Sequence, residues 1–253
     1  MTEKTNLNLI YQMGRVGSKS HESVLKKSNL ENVIHIHSLN PTRIINLNNK
    51  FTKLKPNNYD PLHKLGINLG NSILLEPYKF NIKTVCPIRD VISRNFSSFM
   101  YTTHFWQSKK REEIKNIKDL SLFFENEFYH RDILNWFDSE IFSILQQNVY
   151  DHIFDKDHLI IENEFGWKTI IYKFDISNDR KSELLSNFFN KNIKFDKKIN
   201  GNKKDTIWQN MNYSELKKEI KLSKYFVDKI NSSQYMTHFW SKKEIDKIRS
   251  NWI

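Results

Sequence analysis

Leu7-Asn-Leu-Ile-Tyr-Gln-Met-Gly-Arg-Val-Gly-Ser-Lys-Ser20 passes from an apolar run through two glycines into a stretch of hydroxyls and cations. The run predicts a buried strand over 7–12, and the residues from Ser18 open a helix over 18–28. A helix entered through glycines offers its first N–H groups, and the positive end of its dipole, to whatever lies before it. With Arg15, Ser18, Lys19 and Ser20 beside those N–H groups, the stretch reads as a cradle for a phosphate, and so for a phosphorylated cofactor. Strand, anion loop and helix in that order predict an α/β chain: a P-loop-like parallel sheet flanked by helices.

The nucleotide-triphosphate P-loop, G-x-x-x-x-G-K-[ST], is the obvious comparison. Aligned on Lys19, its glycine positions hold Met13 and Ser18, so this loop is tighter than a Walker loop. A kinase or GTPase also needs an apolar strand ending in Asp to hold magnesium. The next strongly apolar strand, Lys83-Thr-Val-Cys-Pro-Ile-Arg89, ends in a cation, which argues for direct contact with a second phosphate. In Arg89-Asp-Val-Ile-Ser-Arg-Asn-Phe-Ser97 the serine follows the arginine by eight positions. That is about two helical turns, so the pair can share a face.

With a phosphate loop on the first strand and an Arg/Ser pair on a later one, the chain resembles the sulfotransferases that use 3′-phosphoadenosine-5′-phosphosulfate (PAPS). The family pattern Lys-[ST]-Gly-[ST]-[ST] falls on Arg15, Val16, Gly17, Ser18 and Lys19, and R-x-P-x-x-R-x-x-S falls on Arg89, Val91, Arg94 and Ser97. Arg15 stands where lysine is usual, Lys19 where a hydroxyl is usual and Val91 where proline is usual. The first keeps the charge but replaces a point ammonium by a planar fork. More specifically, the chain is similar to a bacterial branch of capsular polysaccharide synthesis proteins. The marks are Gln-Met-Gly-Arg-Val-Gly-Ser (12–18), His-Ile-His-Ser-Leu (35–39), Arg-Asn-Phe-Ser-Ser-Phe (94–99), Leu-Asn-Trp-Phe-Asp-Ser-Glu-Ile (134–141) and His-Phe-Trp-Ser-Lys-Lys-Glu-Ile (238–245).

The resemblance implies a sulfotransferase fold with helical C-terminal additions, PAPS as cofactor with 3′-phosphoadenosine-5′-phosphate (PAP) as product, and a saccharide acceptor. It implies that Arg15, Val16, Gly17, Ser18, Lys19 and Ser20 hold the 5′-phosphosulfate, and that Arg89 and Ser97 hold the 3′-phosphate. A late basic loop closes over the nucleotide or acceptor in related enzymes, which nominates Lys203 and Lys204; an ordinary solvated loop is the competing reading. Phe174-Asp175 resembles the aromatic and acidic pair that ends a late parallel strand in that fold. A nucleotide phosphotransferase and a non-catalytic nucleotide-binding module are the two other classes.

Transfer to a hydroxyl calls for a base near neutral pKa, and histidine suits it. His37 ends the predicted second strand, 32–37, and a parallel sheet would bring it beside the first loop. His35 shares its face by strand alternation. His63, Glu76 and His130 are the alternative bases, and His35, His63 and His130 the candidates for binding the acceptor. Two histidines without a third ligand or a cysteine pair argue against a metal.

At 253 residues the chain is expected to form a single domain over 1–253. Helices are expected at 41–54, 61–75, 90–102, 118–128, 132–147 and 180–190, with strands at 83–88, 158–162 and 167–174. There is no apolar run of membrane-spanning length, and the first residues lack a signal-peptide layout. One cysteine, Cys86, forms no internal disulfide, so a reducing cytoplasm is expected. The net charge of +11 is spread along the chain, which suits an anionic ligand or solubility. No nucleic-acid reader motif accompanies it.

Overall fold

In a computed structural model, residues 3–52, 61–101, 114–195, 211 and 213–253 are described. A five-stranded sheet forms the frame, in the order β2-β1-β3-β5-β4. The strands are β1 (Thr5–Tyr11), β2 (Val33–Ile36), β3 (Phe80–Ile88), β4 (His158–Glu162) and β5 (Lys168–Lys173). β1 runs parallel to β2 and β3, and β3 parallel to β5; β4 alone is antiparallel, joined to β5 by a turn. Consecutive buried residues on β1 (Leu9, Ile10, Tyr11) and β3 (Val85, Cys86, Pro87, Ile88) mark strands covered on both faces, as central parallel strands must be. Burial pushes the Cys86 thiol up, away from the reactive thiolate.

From β1 the chain goes through α1 (Ser18–Lys27) to β2 on one side. It then returns through α2 (Pro41–Thr52) and α3 (Pro61–Leu75) to β3 on the other. The order reverses at β1, so its carboxyl end and that of β3, where Ile10 lies opposite Val85, flank a topological switch point. Crevices at such points receive ligands in open α/β sheets.

Two compact units make up the chain: Met1–Ile88 with Asn135–Gly201, and Arg89–Leu134 with Asn202–Ile253. In the sheet unit, Val24 and Leu25 of α1 and Leu184, Leu185 and Phe188 of α8 (Asn178–Phe189) pack with Ile10, Val85, Ile170 and Tyr172. Ser177 caps α8 by accepting from the Arg180 N–H. A Cβ added at Gly70 of α3 would collide with the Leu39 carbonyl, so a bare backbone is what lets that helix close on the segment after β2.

The second unit is helical: α4 (Val91–Tyr101), α5 (Ile117–Glu127), α6 (Arg131–Leu134), α9 (Tyr213–Glu219), α10 (Lys224–Asn231), α11 (Gln234–Phe239) and α12 (Lys242–Trp252). Its core is aromatic: Phe96, Phe99, Phe124 and Phe226, with Trp252 edge-on to Phe96 at 5.5 Å. Among the described residues, no helix is long and apolar enough to cross a membrane.

The stretch expected as one helix over 132–147 is not regular. It holds α6, a π-helix over Phe137–Phe142 and a last turn, α7 (Ser143–Leu145), which Gln146 ends in the left-handed conformation at φ 54°. π-helical widening of this kind is typical of functional or specially bonded positions. Here it carries Glu140.

Candidate functional site

β1 delivers the loop 12–17 to the switch point with Gly14 at φ 79°, Arg15 at φ 62° and Gly17 at φ 73°. Left-handed residues in such a loop turn successive N–H groups toward a common concavity. Gly17 is the N-cap of α1 and brings no side chain to bond the first-turn amides; the Ser20 N–H bonds the Gly17 carbonyl at 3.1 Å, and those of Ser18 and Lys19 have no side-chain cap, the arrangement an anion favours. A Cβ on Gly17 would stand 2.5 Å from Cε2 of Phe174, so glycine is required by conformation and by space.

Arg15 holds a conformation that costs a non-glycine residue roughly 1–2 kcal/mol. Arg15→Gly is therefore expected to raise stability by about 0.5–1 kcal/mol, once glycine's larger unfolded-state entropy is subtracted, while removing a loop cation. Chemical denaturation checks this, and a destabilised variant would show that the guanidinium anchors the loop instead.

The remaining loop residues differ in what they present. Val16 is fully buried, so only its backbone can meet a ligand; Ser18 is half-buried and Lys19 exposed. The Ser20 hydroxyl donates to the Gly17 carbonyl at 2.6 Å, so its one proton is used inside the helix. His21 Nδ1–H donates to the same carbonyl at 2.8 Å, and burial lowers the ring's pKa to about 4. Behind the loop, the Lys181 ammonium sits 4.9 Å from the centre of the Phe174 ring, its pKa lowered by burial against the opposing pull of Asp175.

Parallel pairing of β1 with β2 places Tyr11 opposite Ile36 and sets Gln12 beside both strand-end histidines. The Gln12 amide Nε2 lies 3.0 Å from His35 Nε2 and 2.9 Å from His37 Nδ1, while its Oε1 accepts from the Gly14 N–H. His37 Nδ1 also lies 3.1 Å from the Gln12 carbonyl oxygen, and donation there puts the ring's basic lone pair on Nε2. The two imidazoles meet edge to face at 4.6 Å, as alternation along β2 predicts. His37 is exposed; His35 is half-buried, its pKa lowered by burial and by Lys19 and Lys26 against the raising effect of Glu22. One buried glutamine thus ties the anion loop to both histidines.

Glu140 ties the same region down from below. Fully buried, it accepts from the Tyr11 and Ser38 hydroxyls, the Leu39 N–H at 2.9 Å, the Asn40 N–H at 3.0 Å and Arg43 Nη1 at 2.8 Å. Burial, first, and the neighbouring carboxylate raise the Tyr11 pKa, so its phenol stays a donor. Trp136 Nε1–H donates to the His37 carbonyl at 3.3 Å. With its acceptor sites filled from five directions, Glu140 is an anchor for the segment 38–43.

In the helical unit, Arg89 precedes α4 and Asp90 caps it, accepting from the Ser93 N–H at 2.8 Å. Arg89 Nη2 lies 3.4 Å from the Tyr213 hydroxyl, and its carbonyl accepts from the Tyr235 hydroxyl at 3.0 Å. Burial raises the Tyr213 pKa, while Arg89 and a hydrogen bond with Ser97 pull it down. Arg89 and Ser97 are thus brought to one phenol, as their eight-residue spacing suggested; Tyr213 had no sequence signal.

The other candidates separate. His130 is buried among Phe124, Phe128 and Phe226, with Nε2–H donated to the Phe124 carbonyl at 2.7 Å, and burial lowers its pKa to about 4. Those contacts suit packing, not an acceptor pocket. His63 is half-buried in the first turn of α3. Glu76 precedes β3 and pairs with Lys79 at 2.5 Å, so it lies at the amino end of the sheet, away from the loop. Lys203 and Lys204 lie outside the described residues. Among the described residues, no three His, Cys, Asp or Glu side chains gather as metal ligands do.

The chain matches no family model, no curated protein and no solved structure. What the site can do chemically rests on its own geometry: a left-handed helix entry without a side-chain cap at a parallel-sheet switch point, the cations Arg15 and Lys19, and the exposed imidazole of His37.

Proposed function

We propose that this protein is a PAPS-dependent sulfotransferase that transfers a sulfuryl group to a hydroxyl, or an amine, of a saccharide in surface or capsular polysaccharide synthesis, acting in the cytoplasm. The observation that carries the reading is the entry to α1, where left-handed backbone at Gly14, Arg15 and Gly17 leads into a helix start with no side-chain cap beside the sheet's switch point. A tetrahedral anion is the ligand such an entry favours.

In this reading the loop amides of 16–18, with Arg15, Ser18 and Lys19, take the 5′-phosphosulfate, and Arg89 and Ser97 take the 3′-phosphate. The cofactor, when bound, supplies an activated sulfuryl group on a phosphate leaving group. Arg15 and the positive end of α1 stabilise the charge that gathers on that phosphate. His37, fixed through Nδ1 by Gln12, accepts at Nε2 the proton lost by the attacking hydroxyl. Phe174 walls the loop on the side of Gly17 and helps exclude water.

Calorimetric titration with PAP, and separately with ATP and magnesium, tests the reading on wild type and Arg89→Ala. PAP is expected to bind in preference to ATP. The variant is expected to lose about 1.5–3 kcal/mol of PAP affinity, the range for a charge-assisted phosphate contact. Preference for ATP would move the chain to the phosphotransferases, and PAP affinity unchanged by Arg89→Ala would remove that arginine from the site.

A further inference from the structure

Lys181 occupies a position that disfavours its charge twice over. It lies in the first turn of α8, where the positive end of the helix dipole repels a cation. It is also 8% exposed, and burial lowers its pKa. Its neighbour Arg180 is a conventional surface cation, paired with Asp157 and Glu183. Lys181 differs. Among the described residues, its Nζ has no carboxylate at ion-pair distance and makes no hydrogen bond; Asp175, the acid whose charge it feels, is exposed.

A buried charge is ordinarily paired or hydrogen-bonded, because desolvation is otherwise too costly. What Lys181 has in place of a partner is a ring. Nζ stands 4.9 Å from the centre of Phe174, a contact that offsets only part of the cost of burial.

That ring also walls the anion loop, since a Cβ on Gly17 would stand 2.5 Å from Phe174 Cε2. The ammonium and the entry to α1 thus meet the same side chain. Its charge reaches His21, in the first turn of α1, and helps to lower that ring's pKa. The tip is open to a ligand as well: the stem is buried, but Nζ is not sealed from solvent as His21 Nε2 is, and Phe174 is itself only half-buried.

We infer that Lys181 is a further binding residue of the anion site, its ammonium meeting an oxygen of the anion held at the entry to α1, on the side of Phe174. The inference rests on the anion site proposed above and adds to Arg15 and Lys19 a cation from a distant helix. The ligand is then the counter-charge that the buried ammonium lacks. Lys181 lowers the stability of the ligand-free protein and raises the affinity of the bound one, a pair of opposite effects that a packing residue does not produce.

The test compares the wild-type full chain with Lys181→Met, which keeps the length of the stem and removes the charge. Calorimetric titration with PAP, and separately with inorganic phosphate, is read beside thermal unfolding without ligand. The variant is expected to bind both anions at least tenfold more weakly, as for a lost charge-assisted contact, while its ligand-free midpoint stays level or rises. On the wild type alone, the Lys181 Cε resonance is expected to shift saturably with phosphate, which decides the matter if the variant does not fold. Unchanged PAP affinity in a folded Lys181→Met, or a Cε resonance indifferent to phosphate, would overturn this inference and leave the sulfotransferase reading standing. Wild-type protein that binds neither PAP nor phosphate would overturn both.

Discussion

Glu140→Ala is expected to cost about 3–5 kcal/mol of stability, because it removes the shared acceptor of a buried charged network and leaves the donors behind. Arg43, whose side chain is 14% exposed, loses its carboxylate, and the Tyr11 hydroxyl and the Leu39 N–H lose the same acceptor. Glu140→Gln keeps one carbonyl oxygen but presents an NH₂ to a ring of donors, so a loss on the order of 2 kcal/mol is expected. Urea unfolding of both variants checks the order. The network also fixes the segment that carries His37, so even the folded Gln variant is expected to broaden or shift the His35 and His37 ring resonances. A fall below about 1 kcal/mol for the alanine variant would mean that water replaces the carboxylate in full.

Acid is expected to weaken the fold well before its carboxylates are protonated. His21 and His130 are each held to about 4, chiefly by burial, against about 6.5 in the unfolded chain. Between those values the unfolded chain binds the proton and the folded one refuses it. The stabilisation from the neutral rings is therefore complete above about pH 6.5 and is lost as pH falls toward about 4. Each ring contributes on the order of 3 kcal/mol over that window. Asp157, whose pKa Arg180 holds below the usual carboxylate value, adds its loss only at lower pH. Urea midpoints measured down this range should fall steadily, and His130→Gln should flatten the slope. A level profile to pH 4 would show that both rings take up protons inside the fold.

Much of the frame is legible locally. The strands β1, β3, β4 and β5 announce themselves by apolar runs, and α1 by the glycines and hydroxyls before it. The glycine-bearing entry to α1, the Arg89–Ser97 face and the meeting of His35 with His37 follow from local pattern, because each concerns residues near in sequence. Gln12, Lys181, Tyr213 and Glu140 are different, since each gains its meaning from a partner far along the chain. Glu140 accepts from Leu39 across 101 positions, and nothing near it in sequence names that donor. A signal was nonetheless present: a carboxylate set among Phe137, Ile141 and Ile144 on the apolar face of the stretch demands a buried cation or several hydrogen bonds. Regular helical spacing hid the π-helix as well, because one extra residue in a turn changes the facing of its neighbours without changing their composition.

The interleaving of the two units has a consequence for how the polypeptide is made. Arg89–Leu134 interrupts the sheet unit, and Asn135–Gly201 interrupts the helical one, so no single cut yields either as an unbroken fragment. As the chain leaves the ribosome, β1 and β2 can pair early, yet β1 must wait for β3, and β3 for β5, before the central strands are covered. The helical segment is synthesised in the middle of that wait and finds its own aromatic partners, Phe226 and Trp252, only after the intervening Asn135–Gly201 has been made. Each unit therefore waits on synthesis of the other's segment before it can close, and until then it leaves apolar surface in need of chaperoning.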